Sequence, residues 1–115
     1  MDEAFANPDI RRRAELLTVL SREHSGRKHG VHAPELAAKV GVPERTLRRL
    51  ITELREEGEA IVATPETGYY MAATPDDIRI CCGFLRSRAM RSLANEARLR
   101  RIPLPELLGQ LHLPT

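Results

Sequence analysis

The sequence predicts a mostly helical α+β fold, in which three helices and a two-stranded hairpin precede a long C-terminal helix. Three observations carry this prediction. Proline followed by an acidic residue stands at five positions that precede helical patterns, and this pair suits the first turn of a helix. Apolar residues then recur at helical spacing. After Gly58 the pattern changes to two short β-prone runs, AIVAT and YYMA, which predict the hairpin.

The composition is that of one globular domain. Of the 115 residues, 42% are hydrophobic and 30% charged, and with 3% aromatic residues and no Trp the core is expected to be aliphatic. The net charge of +2 is too small to indicate nucleic-acid binding, so the positions of the arginines matter more than their number. No apolar run is long enough to span a membrane, the start MDEAFANPDI lacks an apolar signal core, and the adjacent Cys81 and Cys82 suit a reducing compartment. We therefore expect a cytoplasmic protein without a membrane partner.

The first helix is predicted over about residues 8–23 and ends before the loop HSGRKHG. Its apolar residues follow helical spacing, so one side of it is expected to pack against the core. That predicted stripe is Ile10, Ala14, Leu17 and either Leu20 or Val19.

Two helices with a tight turn between them follow the loop. The second helix is predicted from Pro34 to about Val40 and stops at Gly41, because glycine tolerates the left-handed conformation that ends a helix. The third helix is predicted over residues 43–57, with apolar side chains at the i, i+3, i+4 and i+7 positions of one face. They are Leu47, Leu50, Ile51 and Leu54.

The hairpin and a long helix complete the chain. The strands are predicted to be joined by the four-residue loop PETG. The long helix is predicted from Pro75 to about Arg101, and Thr74 with Asp77 resembles a capping box at its start. The tail LPELLGQLHL predicts one more short helix. The apolar stripe of the long helix is Ile78, Cys82, Leu85, Ala89, Leu93 and Ala97.

Helix, tight turn, helix and hairpin form the layout of a winged helix-turn-helix, whose second helix of the pair enters the major groove of DNA. Residues 34–71 resemble the DNA-binding domain of biotin-repressor and deoxyribose-repressor type regulators. The resemblance lies in ELAAKVGVPERTLRRLITELREEGEAIVATPETGYYM, with its Leu-Ala pair, its Gly turn, Arg-Thr-Leu-Arg-Arg, LREEG and the Gly-Tyr-Tyr ending. The long basic helix after the hairpin is also similar to that of small bacteriophage winged-helix proteins. Only DNA binding is implied, because the remaining residues cannot hold those regulators' ligand-sensing or catalytic domains.

The winged helix-turn-helix is assigned to residues 1–74, and residues 75–115 are a helical extension that packs on it or on a second subunit. With the apolar stripe of the third helix buried, its arginines and threonines face outward. Arginine matches guanine O6 and N7 or a phosphate, and threonine can contact a base edge. Alternatively, these arginines only pair with glutamates on the same helix. The predicted DNA contacts are Arg45, Thr46, Arg48, Arg49 and Thr52 on the helix, and Arg27 and Lys28 in the preceding loop.

The sequence favours a sequence-specific double-stranded DNA-binding protein, a transcriptional regulator of bacterial or phage type, over an enzyme. It contains no nucleophile elbow, phosphate loop or paired catalytic carboxylates, and its histidines and cysteines match no known metal-binding spacing. We expect no metal, cofactor or small-molecule effector. The alternative is an adaptor whose winged helix binds a polymerase or a replication factor.

The C-terminal helix allows two further interpretations. Seven arginines and one acid, Glu96, lie between Arg79 and Arg101. These arginines either keep the surface soluble or line DNA phosphates beside the third helix. The apolar stripe predicts a homodimer through this helix, since regulators of this layout commonly bind symmetric sites.

Overall fold

Five α-helices, one turn of 3-10 helix and one two-stranded antiparallel sheet make up residues 8–114, the part of the chain that the computed structural model describes. The mostly helical α+β prediction is confirmed. The chain divides into two compact units, one ending at Cys81 and the other beginning at Cys82. The elements are α1 (Pro8–Glu23), the 3-10 turn (Arg27–His29), α2 (Ala33–Val40), α3 (Glu44–Glu56), β1 (Ile61–Thr64), β2 (Gly68–Met71), α4 (Pro75–Arg100) and α5 (Leu104–Gln110).

The core of the first unit is aliphatic, as the composition predicts. All four apolar residues of the α3 stripe are buried. The stripe predicted for α1 is partly wrong: Leu20 is buried and Leu17 half-buried as predicted, but Ile10 and Ala14 are exposed, and Leu16, which the stripe omits, is buried. The run ELLTVL offers apolar side chains on two adjacent faces, and packing against α2 and α3 decides which face is buried.

A glycine makes the tight turn between α2 and α3. Gly41 has a φ of 76°, in the left-handed region. The Val42 amide donates to the Ala37 carbonyl at 3.0 Å and the Gly41 amide to the Ala38 carbonyl at 3.2 Å, which closes the end of α2 in a Schellman arrangement. Arg12 of α1 donates from Nη1 to the Val40 carbonyl at 2.8 Å. These bonds fix the start of α3 relative to α1 and α2.

The hairpin loop has three residues, not the four predicted, because Gly68 already belongs to β2 and pairs with Thr64. A third segment lies against this sheet. The Val31 amide donates to the Tyr69 carbonyl at 2.9 Å, and the Tyr69 amide donates to the Val31 carbonyl at 2.7 Å. The hairpin of β1 and β2 is the wing of this fold, and the segment before α2 extends its sheet, although no β-prone run marks that segment in the sequence.

The capping box predicted at the start of α4 is confirmed. The Asp77 amide donates to Thr74 Oγ1 at 3.2 Å, and Asp77 Oδ2 accepts from the amides of Thr74 at 3.2 Å and Ala73 at 2.8 Å. The buried Asp77 carboxylate thus accepts two backbone hydrogen bonds through one of its oxygens.

The second unit contains the rest of α4 and α5. The long helix α4 ends at Arg100, and the next residue, Arg101, lies in the left-handed region with a φ of 60°. The Ile102 amide donates to the Ala97 carbonyl at 3.0 Å. The buried side chains of this unit are Ala97, Leu107 and Leu108. Of the predicted α4 stripe, Ala97 is buried and Leu93 half-buried, while Ile78, Cys82, Leu85 and Ala89 are exposed.

Candidate nucleic-acid interface

The outer face of α3 carries the predicted DNA contacts at the surface. Because Leu47, Leu50, Ile51 and Leu54 are all turned into the core, the polar residues between them point away from it. Thr46 is half-buried at the edge of this face. The exposed members are Arg45, Arg48, Arg49 and Thr52.

The exposed members differ in what holds their side chains. Arg48 Nη2 lies 3.5 Å from Glu44 Oε1, one helical turn away, and an exposed pair of this kind contributes little to stability. The Thr52 hydroxyl donates to the Arg48 carbonyl at 3.0 Å. Within residues 8–114 the Arg45 guanidinium makes no ion pair. Arg45 can therefore bind an acceptor outside the chain without first breaking an ion pair within residues 8–114.

Arg49 is held by two acidic side chains, one of which belongs to α1. Its Nη1 and Nη2 donate to Asp9 Oδ2 and Oδ1 at 3.1 and 3.2 Å, and Nη1 also donates to Glu53 Oε1 at 3.0 Å. The hydrogen bonds from Arg49 to Asp9, followed by those to Glu53, raise the pKa of the guanidinium above its usual value. The pairing with Glu53 follows from helical spacing. The pairing with Asp9 does not, because the two residues are 40 positions apart.

The acidic residues at the end of α3 also have a partner on α1. Arg13 forms an ion pair with Glu57 and lies 4.0 Å from Glu53. Glutamates at this end of the helix would repel DNA phosphates. Arg13 offsets part of the negative charge of Glu53 and Glu57. Glu56 is exposed at the same end of the helix and adds to that negative charge. The end of the face that favours DNA phosphates is thus its N-terminal half.

The basic loop before α2 lies beside the hairpin. Arg27 Nη2 is 3.8 Å from Glu66 Oε2 at the tip of the wing, and both side chains are largely exposed. Gly30 brings the two segments together, because a Cβ at that position would lie 2.1 Å from the Thr67 carbonyl oxygen. The wing loop has no basic residue of its own, and Arg27 places one next to it. Lys28 is exposed in the same turn.

A buried histidine anchors that loop. His24 Nδ1 is 2.8 Å from the His29 carbonyl, and His24 Nε2 is 2.9 Å from Lys39 Nζ of α2. A carbonyl only accepts, so Nδ1 carries the proton and Nε2 accepts from the ammonium. This histidine therefore has a structural role. In the described part of the chain no group of three His, Cys, Asp or Glu side chains is placed to hold a metal ion.

A tight turn between two helices, an exposed polar face on the second helix and a paired hairpin after it define a winged helix-turn-helix domain. The family model of the HTH domain matches residues 12–70, just over half of the chain, and the chain belongs to this family of helix-turn-helix DNA-binding domains. No curated protein and no solved structure matches it. None of the helices within residues 8–114 is both long and apolar enough to cross a membrane.

Proposed function

We propose that this protein is a sequence-specific double-stranded DNA-binding regulator of transcription, of bacterial or phage type and without catalytic activity, that inserts α3 into the major groove. The observation that carries the proposal is the exposed face of α3. Its N-terminal half presents Arg45, Arg48 and Arg49 to solvent, on a helix fixed at its start by the Gly41 turn. In this fold that helix is the one that reads base edges, and its N-terminal residues make the contacts.

Arg45 is the residue best suited to read a base. Its side chain is exposed and makes no ion pair within residues 8–114, so binding requires no internal bond to break. The arginine fork matches O6 and N7 of guanine. Arg48 and Thr52 lie one helical turn apart on the adjoining side and are assigned to base or phosphate contacts. Thr46, at the edge of the face, is assigned to a phosphate.

Arg27 and Lys28 are proposed to contact phosphates next to the wing. Both are exposed, and Arg27 is adjacent to the wing tip. Phosphate contacts fix the orientation of the domain on the duplex and carry no sequence information. The Arg27 pair with Glu66 is solvated, so exchanging it for a phosphate costs little.

Replacing Arg45 by Ala tests the assignment of base reading to α3. A duplex enriched from random DNA by the parent protein serves as the probe in a fluorescence anisotropy titration. We expect Arg45→Ala to weaken binding to that duplex by about 1–3 kcal/mol, and to weaken binding to unrelated DNA much less.

Arg22→Ala is the matched control, since Arg22 is an exposed arginine at the far end of α1. It is expected to change binding to both duplexes equally and slightly. Equal losses for Arg45→Ala and Arg22→Ala on every sequence, with circular dichroism unchanged, would mean that Arg45 reads no base.

We further propose a homodimer through α4, because the middle of this helix exposes apolar side chains in the single chain. Cys82, Phe84, Leu85 and Ala89 are all exposed, and Leu85 retains 46% of its accessible surface. Two-fold symmetric pairing would bury these residues and match two half-sites on DNA.

Light scattering tests the proposed dimer. At tens of micromolar protein it is expected to give twice the mass of one chain, and the Leu85→Glu variant is expected to give the mass of one chain. The control Ser87→Glu alters an exposed polar position instead. A parent protein with the mass of one chain under these conditions would refute the dimer.

A further inference from the structure

We infer that Asp9 is an internal competitor for Arg49, so that DNA must displace this carboxylate before Arg49 takes part in binding. The inference rests on the proposed function and adds a residue of α1 to the determinants of DNA affinity. Its basis is a two-pronged ion pair in which Asp9 Oδ2 and Oδ1 accept from Arg49 Nη1 and Nη2 at 3.1 and 3.2 Å.

The geometry of this pair is the geometry by which arginine binds nucleic acid. Two parallel N–H donors of the guanidinium bind two oxygens of a carboxylate or phosphate, or O6 and N7 of guanine. In the free protein both terminal nitrogens of Arg49 already donate to Asp9, and Glu53 accepts a further bond from Nη1. A DNA acceptor in the same position takes the place of Asp9.

The ion pair between Arg49 and Asp9 is exposed enough for another acceptor to displace Asp9. The side chains of Arg49 and Asp9 keep 46% and 51% of their accessible surface. An exposed ion pair gains little net free energy, since water and salt compete with it. The carboxylate therefore lowers the affinity for DNA by a modest factor and does not block it.

The pair is not required to hold α1 against α3. Leu16 and Leu20 of α1 are fully buried in the core, and Arg13 of α1 forms a separate ion pair with Glu57. Removing the Asp9 charge should therefore leave the domain folded. Asn has about the same helix propensity as Asp but no charge, which makes Asp9→Asn the smallest informative change.

The experiment is a double-mutant cycle on DNA binding with Asp9→Asn and Arg49→Ala, singly and combined. The probe is the duplex that the parent enriches from random DNA, titrated by anisotropy at one salt concentration. We expect Asp9→Asn to tighten binding about two- to five-fold, the factor that corresponds to an exposed ion pair. In the Arg49→Ala background, the change in binding free energy caused by the same substitution should be less than half as large.

Each other outcome decides against the inference. Equal tightening in both backgrounds means that Asp9 acts only by its overall negative charge. Weaker binding by Asp9→Asn means that the carboxylate positions Arg49 for DNA. If the parent binds no DNA, the proposed function itself fails, whereas a parent that binds with a flat cycle overturns this inference alone.

Asp9→Ser provides a second variant if Asp9→Asn unfolds, and thermal melting followed by circular dichroism identifies that case. A measurement without DNA supports the cycle. In the parent, the NMR signals of the Arg49 guanidinium should report restricted rotation, and in Asp9→Asn they should report faster rotation. Unchanged rotation would show that Asp9 does not hold Arg49, and would overturn the competition.

Discussion

Gly68→Ala tests how closely the wing packs on the segment before α2. Gly68 has a φ of 75°, and a Cβ at this position would lie 2.3 Å from the carbonyl oxygen of Val31 and 2.8 Å from the amide nitrogen of His32. These are backbone atoms, so no side-chain rotation relieves the overlap. Either β2 or the Val31 segment must move, and the two hydrogen bonds that join Val31 to Tyr69 are weakened.

The expected loss of stability follows from these two effects. A non-glycine residue in the left-handed region costs about 1–2 kcal/mol, and each hydrogen bond contributes about 1 kcal/mol net. Together they give about 3–4 kcal/mol, a large part of the roughly 5–15 kcal/mol that stabilises a typical domain. The Gly68→Ala protein should therefore unfold at a clearly lower urea concentration than the unchanged protein.

Urea denaturation followed by circular dichroism measures this loss, and two other glycines serve as controls. Gly58 has a φ of 95° but nothing within 4 Å of an added Cβ, so Gly58→Ala should cost only the strain of about 1–2 kcal/mol. Gly83 lies inside α4 with open space around it, and Gly83→Ala should stabilise by about 0.5–1 kcal/mol. If Gly68→Ala is no more destabilising than Gly58→Ala, the close approach to Val31 is not present in solution.

Two further substitutions test the packing and the cap. The Tyr70 hydroxyl is buried without a hydrogen-bond partner among the described residues. Tyr70→Phe should therefore leave the free energy of unfolding unchanged or raise it by up to about 1 kcal/mol. A decrease of more than about 1 kcal/mol in urea denaturation would show that the hydroxyl does form a hydrogen bond. Burial also raises the pKa of Tyr70 above 10.0, so the folded protein favours the neutral phenol. The free energy of unfolding should therefore be constant with respect to this group below pH 10 and fall as the pH rises further. Tyr70→Phe should reduce this fall. Asp77→Ala removes the capping box of α4 and should cost about 1–2 kcal/mol, measured in the same way, and a cost below a few tenths of a kcal/mol would contradict the cap.

The elements with local signals were predicted well from the sequence. Gly41 and Pro43 are adjacent to the ends of α2 and α3, and the period of Leu47, Leu50, Ile51 and Leu54 identifies the buried face of α3 without knowledge of its partners. Proline, glycine and apolar spacing act within a few residues. Such signals are therefore readable before the fold is known.

The features that the sequence did not reveal depend on distant contacts. The buried face of α1 is chosen by what it packs against, and Val31 joins the sheet only because Gly30 and Gly68 let two backbones approach. The Arg49 pair with Asp9 likewise joins two helices far apart in sequence. Of the candidate site, the exposed arginines could be predicted, and the internal partner of one of them could not.

The central claim, that the N-terminal half of α3 contacts DNA, is tested most directly by NMR titration of the labelled protein with the enriched duplex. The account predicts that the largest amide shifts occur at residues 45–52 of α3, with smaller shifts in the 3-10 turn at Arg27 and Lys28 and at the wing tip. Shifts confined to α4 and α5, with residues 45–52 unchanged while DNA binds, would contradict it.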